Sequence, residues 1–167
     1  KGNMGEAMNV LHEKTNLPAI CGRVCPHEKQ CEGHCVLGKK GRPVRIGKLE
    51  SFIAQFDSDM QLTHERIPEK TRGKVAVIGS GPAGLTVVGD LARQGFHVTI
   101  FEGQPEAGGV LMYGIPEYRL PKAVVRNEIK KIEDLGVHFV RNCLVGTPES
   151  GVTVDSLFAQ GFDAIFM

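Results

Sequence analysis

The sequence predicts two units of different class: a small helical domain carrying clustered cysteines, then an incomplete α/β domain built on a parallel sheet. Four of the five cysteines fall between Cys21 and Cys35, flanked on both sides by segments of helical periodicity. From Lys74 onward, short β-branched runs alternate with amphipathic helical stretches, the pattern of strand–helix–strand units whose strands pair in parallel. Between the two, residues 57–73 lose hydrophobic periodicity, become charged and contain Pro68 and Gly73. That composition marks a linker. The expected boundaries are 1–60 for the helical domain, 61–73 for the linker and 74–167 for the α/β domain.

Taken in order, Asn3 to Lys14 places Met4, Ala7, Met8, Val10 and Leu11 on one helical face. Asn16-Leu17-Pro18 ends it, because proline cannot continue a helix and restricts the residue before it. The cysteines follow at spacing C-x₃-C-x₅-C-x₃-C: Cys21, Cys25, Cys31 and Cys35. Disulfides fit poorly beside an α/β domain with no signal-peptide pattern. Zinc modules separate their cysteine pairs by a dozen or more residues, so a five-residue gap is short for them. Closely spaced thiolates suit iron–sulfur clusters. Spacing favours iron–sulfur chemistry and leaves zinc and purely structural thiols as alternatives. His27 and His34 sit within the run, although a polar loop histidine is more often solvated than ligating. Lys39, Lys40, Arg42 and Arg45 form a basic loop beyond it. Pro43 to Ile46 is extended, and a helix runs from Gly47 to Gln55 with Leu49, Phe52, Ile53 and Phe56 on its apolar side. Glu50 lies in its first turns, where a carboxylate is compatible with the helix dipole.

The second domain is organised around residues 74–102. Val75 to Ile78 reads as a buried strand. It runs into Gly79-Ser80-Gly81-Pro82-Ala83-Gly84, a complete G-x-G-x-x-G, and a helix follows from Leu85 to Arg93. Phe96 to Phe101 is a second strand ending at Glu102. In this setting Gly79 permits the tight turn, Gly81 lets backbone N–H groups approach a pyrophosphate, and Gly84 lets helix and strand pack closely. The helix N-terminus adds partial positive charge. Glu102 stands where a carboxylate accepts from ribose hydroxyls and repels a 2′-phosphate, so FAD or NAD is expected rather than NADP. Residues 105–122, rich in Gly, Pro and apolar side chains, are expected to fold over a ligand. Ala123 to Leu135 is an amphipathic helix stopped by Gly136. A strand over 137–140, a short continuation near Leu144 and Val145, a helix over 152–159 and a last strand from Phe162 complete the chain. Cys143 stands alone and is expected to be a buried free thiol.

Net charge of +1 provides no field for nucleic acid or anionic membrane. No apolar run approaches the roughly 20 residues a membrane helix needs. A cytoplasmic protein is expected. The first residue is Lys1, and the last six read as a strand in progress, so we expect a portion of a longer protein.

CGRVCP, CEGHC, IGKLE, GSGPAGL with Glu102, the glycine pair at 108–109 and YGIPEYRLPK occur together and in order. In these the chain resembles the N-terminal part of the small (beta) subunit of NADPH-dependent glutamate synthase. It is also similar to the iron–sulfur and FAD regions of dihydropyrimidine dehydrogenase and of NADH-dependent ferredoxin:NADP oxidoreductase large subunits. The resemblance implies a small helical iron–sulfur domain followed by an incomplete Rossmann-like FAD-binding domain with a parallel sheet. It implies two [4Fe–4S] clusters, with Cys25 and Cys31 belonging to one, Cys35 to the other, and Glu50 as an oxygen ligand. Cys21 matches no ligand position, and the family's further cysteines lie upstream, so little or no complete cluster is expected in this portion. The resemblance further implies Gly79, Ser80, Gly81, Pro82, Ala83 and Gly84 at the FAD pyrophosphate and Glu102 at its ribose. Gly109 and Val110 would lie near the flavin, Arg119 would make a further FAD contact, and the Val145 backbone would meet the adenine. NADPH would bind a domain downstream, and electrons would leave to a large (alpha) glutamate synthase-like subunit or another redox partner. No catalytic acid or base is assigned. The alternatives are an NAD-binding dehydrogenase with a zinc-binding cysteine module and a non-enzymatic cofactor-binding scaffold.

Overall fold

The computed structural model describes residues 2–62, 66–147, 149 and 151–167. Part of the expected linker, 63–65, lies outside the described residues. The chain divides into two compact units. The first comprises residues 1–64 with Tyr118–Leu120, and the second comprises 65–117 with 121–167. Three residues that the sequence reading places in the α/β domain therefore belong with the helical unit.

The first unit contains α1 (Met4–His12), α2 (Pro18–Val24) and α3 (Ile46–Met60), with single 3₁₀ turns at His27–Lys29 and Val36–Lys39. Asn3 caps α1 by accepting from the Glu6 N–H at 3.1 Å. Pro18 not only excludes the preceding helix but opens α2 at its first turn, where its missing N–H costs nothing. The sequence reading assigns no helix to 18–24, so α2 is an addition. α3 also runs five residues further than expected. Its packed face differs too: Gly47, Ala54 and Asp57 are buried, whereas Leu49 and Phe52 are about half exposed. Small residues explain this. A Cβ on Gly22 of α2 would meet the Ser51 N and Oγ at 2.6 Å, so α2 and α3 approach backbone to backbone along their smallest side chains. Of the apolar face expected in α1, Met8 is fully buried but Val10 is exposed.

The second unit is a four-stranded parallel sheet of order β3-β2-β1-β4, with β1 Lys74–Ile78, β2 His97–Phe101, β3 His138–Val140 and β4 Ala164–Phe166. Helices α4 (Pro82–Arg93), α5 (Val110–Tyr113), α6 (Lys122–Asp134) and α7 (Val154–Ala159) connect the strands. β1 lies between β2 and β4, both of which pair with it in parallel. This is the 3-2-1-4 order of a doubly wound dinucleotide fold, whose chain reversal opens a crevice at the strands' carboxyl ends. Leu85, Val88 and Ala92 of α4 and Val125, Ile129 and Ile132 of α6 are buried. Leu157 of α7 forms a separate cluster with Ala76 and Phe101, against which Val145 and the half-buried Cys143 thiol pack. Near Leu144 and Val145 the backbone turns rather than forming a strand, and Gly146 N–H donates to the Val152 carbonyl at 2.7 Å. The one-turn α5 also lies in a segment the sequence reading treats as irregular.

Candidate functional site: a dinucleotide loop and a cysteine module

The phosphate loop joins β1 to α4. Gly79 turns with φ +92°, and a Cβ on Gly84 would fall on the Gly79 carbonyl oxygen, so only glycine lets the helix begin this close to the strand. A Cβ on Gly81, by contrast, would meet nothing within 4 Å. Pro82 opens α4, and no side chain caps its N-terminus. A turn facing open space at an uncapped twelve-residue helix is suited to an anionic phosphate. A dinucleotide therefore fits these residues.

Glu102 terminates β2 beside this loop. Its Oε2 accepts from the Ser80 N–H at 3.0 Å and from the Ser80 hydroxyl, and its Oε1 accepts from the Gln104 N–H at 2.8 Å. Burial pushes the Glu102 carboxyl up. The Ser80 hydroxyl and the N–H groups of Gln104, Ser80 and Gly103 outweigh burial and hold it below the ordinary carboxylate value. The Ser80 hydroxyl also accepts from the Gly108 N–H at 2.8 Å. Ser80 thus directs both its N–H and its hydroxyl to neighbouring loops. The family resemblance implies that it lies at the pyrophosphate, and the sequence contains no signal for this second role, since Gly108 lies 28 residues away.

Gly109 carries φ +52°, and a Cβ there would meet Gly81 Cα at 3.0 Å, so the Gly108–Gly109 turn rests directly on the phosphate loop. Val110 opens α5 and is half exposed. The Lys122 ammonium donates to the carbonyls of Leu111 at 2.9 Å and of Ile115, fastening the end of α5. Glu117 accepts from the Lys122 N–H at 3.1 Å. Arg119 is grouped with the helical unit, where its guanidinium donates to the Val24 carbonyl at 3.5 Å.

In the first unit, Cys21 lies one turn before Cys25, which ends α2. The Cys21 sulfur is 3.6 Å from Thr15 Oγ1. Burial, with the negative charges of Cys25 and Glu50, pushes the Cys21 thiol up to about 11 against the Thr15 contact. Glu50 is itself raised by burial, opposed by His27, whose Nε2 lies 3.9 Å from its Oε2. Cys21, Cys25, His27 and Glu50 therefore share one neighbourhood. Cys31 is exposed on a turn. The Cys35 thiol is held below its ordinary value first by the Val44 backbone N–H, then by that of Leu37, with a further contribution from Gly38. Glu32 anchors the loop between them, accepting from the Gly47 N–H at 3.1 Å beside Arg45 at 3.5 Å. Among the described residues no three Cys, His, Asp or Glu side chains converge as a metal site. The thiols suit iron–sulfur chemistry, but the described residues do not gather a full four-donor set.

Residues 1–62 match the family described as "Dihydroprymidine dehydrogenase domain II, 4Fe-4S cluster". Residues 77–125 match the NAD(P)-binding Rossmann-like domain. The chain is 42% identical over 144 residues to the NAD-dependent dihydropyrimidine dehydrogenase subunit PreT of Salmonella typhimurium, covering 86% of this chain and 35% of that protein. It is 36% identical over 168 residues to the glutamate synthase [NADPH] small chain of Escherichia coli, covering 100% and 35%. Against the Azospirillum brasilense glutamate synthase [NADPH] small chain it is 38% identical over 152 residues, covering 90% and 32%. The chain thus spans about one third of the length of these relatives. Residues 1–62 thus match the 4Fe-4S domain II model and residues 77–125 the NAD(P)-binding Rossmann-like model, and over most of its length the chain is similar to these oxidoreductase subunits.

Proposed function

We propose that this chain is the electron-transfer portion of an NAD(P)H-dependent flavin and iron–sulfur oxidoreductase of the glutamate synthase small-chain kind. Electrons from NADPH would pass by way of FAD and [4Fe–4S] clusters to a partner. The observation that carries this is the union, in one chain, of a 4Fe-4S domain with a preformed dinucleotide phosphate loop. FAD, when bound, supplies the conversion between two-electron and one-electron transfer. The chain's own residues would bind and orient it. Gly79, Gly81, Pro82, Ala83 and Gly84 would receive the pyrophosphate at the start of α4, with Ser80 buried beneath them. Glu102 would hold the ribose through lone pairs left over from its internal donors. Gly109 and Val110 would face the flavin, and Val145 the adenine. Cys25, Cys31, Cys35 and Glu50 are the proposed iron ligands, and NADPH would occupy a domain outside this chain.

The redox partner would be a large glutamate synthase-like subunit or a subunit playing the same part. A cytoplasmic setting is consistent with five free thiols, and among the described residues no helix is long and apolar enough to cross a membrane. Visible absorption and iron analysis of the purified chain test the reading. Flavin bands after incubation with FAD are expected of this chain, with little iron as purified, and iron that depends on Cys25 and Cys31 is expected in the full-length protein. A chain that binds NAD but not FAD, or a full-length protein that holds zinc but not iron, would refute it.

A further inference from the structure

We propose that Ser80 is a positioning residue of the dinucleotide site, pinning Glu102 and the Gly108–Gly109 turn to the phosphate loop before any cofactor arrives. The inference rests on the FAD reading above for its consequence, but its geometry is that of the chain alone. Ser80 is 0% exposed. A serine hydroxyl has one proton to donate and two lone pairs to accept with. Here the proton goes to Glu102 Oε2 and one lone pair takes the Gly108 N–H at 2.8 Å. The Ser80 N–H adds a second bond to the same carboxylate oxygen.

Three segments that would touch different parts of a dinucleotide therefore meet on one residue. They are the phosphate loop, the carboxylate at the end of β2, and the glycine turn before α5. The glycine turn also lies directly against the phosphate loop, where a Cβ on Gly109 would meet Gly81 Cα at 3.0 Å. Without the hydroxyl, the Gly108 N–H would be a buried donor lacking its partner, and Glu102 would lose one of the donors that hold it ionised. Both losses fall on residues proposed to touch the cofactor, whereas Ser80 itself would not touch it through its side chain.

The test is FAD titration of the chain and of Ser80→Ala, Ser80→Thr, Glu102→Gln and the Ser80→Ala/Glu102→Gln double variant. Ser80→Ala should weaken FAD about tenfold or more, the range of a hydrogen bond to a charged group. Ser80→Thr, which keeps the hydroxyl, should retain most of the affinity. The double variant should lose less than the product of the single losses, because both act through one carboxylate. Wild-type affinity in Ser80→Ala, no rescue by threonine, or multiplying losses would overturn the assignment. Amide exchange on the cofactor-free wild-type chain stands independently of whether Ser80→Ala folds: slow exchange at Ser80 and Gly108 supports the pin, and exchange at open-loop rates overturns it. If the wild-type chain binds no FAD while both amides are protected, the flavin reading falls and the pin stands as a feature of the empty loop.

Discussion

Replacing Glu102 by alanine should destabilise the second unit before any ligand is considered. The carboxylate accepts from the Ser80 N–H, the Ser80 hydroxyl and the Gln104 N–H, and it is itself only 7% exposed. Each hydrogen bond to a charged group contributes about 1.5–3 kcal/mol, and a buried donor left unpaired costs about 1–3 kcal/mol. The hydroxyl can rotate to another acceptor, and water can reach the part-buried Gln104 N–H, so the full sum is not expected. A net loss of about 3 kcal/mol follows, a drop of at least about 10 °C in the melting temperature of a unit this size. Urea unfolding of the cofactor-free chain, followed by far-UV circular dichroism, measures it.

The effect should also carry a pH signature. The folded-state value of Glu102 lies below its ordinary 4.5, so its stabilisation is complete above that value and is lost as pH falls through the folded one. The stability gap between wild type and Glu102→Gln should therefore be constant from about pH 7 down to pH 5 and shrink below it. An unchanged urea midpoint in Glu102→Ala, or a gap that widens towards acid pH, would refute the network. FAD affinity should fall by about 1–3 kcal/mol in the same variant, and a folded protein with undiminished affinity would remove Glu102 from the site.

Gly84→Ala should cost about 3 kcal/mol or more, because its methyl would overlap the Gly79 carbonyl in a rigid turn; thermal melting reads this, and a shift under 2 °C in Tm, roughly half a kcal/mol, would contradict the packing. Lys122→Met should free the end of α5 and lower stability by about 1–3 kcal/mol, with faster amide exchange at Tyr113 to Ile115 and little change in α4. Cys21→Ser should leave the iron content of the full-length protein unchanged, while Cys25→Ser and Cys31→Ser lower it; equal losses in all three would make Cys21 a ligand.

The strand–loop–helix–strand from Lys74 to Glu102 was legible because each part is locally encoded. A β-branched run makes a buried strand, glycines at fixed offsets make the turn, and apolar residues at helical spacing make α4. The parallel pairing follows from that alternation, and the cysteine spacing pointed to the chemistry of the first unit. What the sequence could not reveal depends on atoms brought together from afar. α3 turns Leu49 and Phe52 outward because small residues at Gly22, Gly47 and Ser51 allow a closer backbone approach than its larger apolar side chains would. That choice belongs to the pair of helices rather than to either one. α5 is too short to show a period, and Lys122, nine residues beyond it, fastens its end. Ser80 meets Gly108 only once β2 has paired with β1 and the glycine turn has folded back on the loop. A residue type and its spacing specify what a side chain can donate or accept, and tertiary structure alone decides which partner takes it.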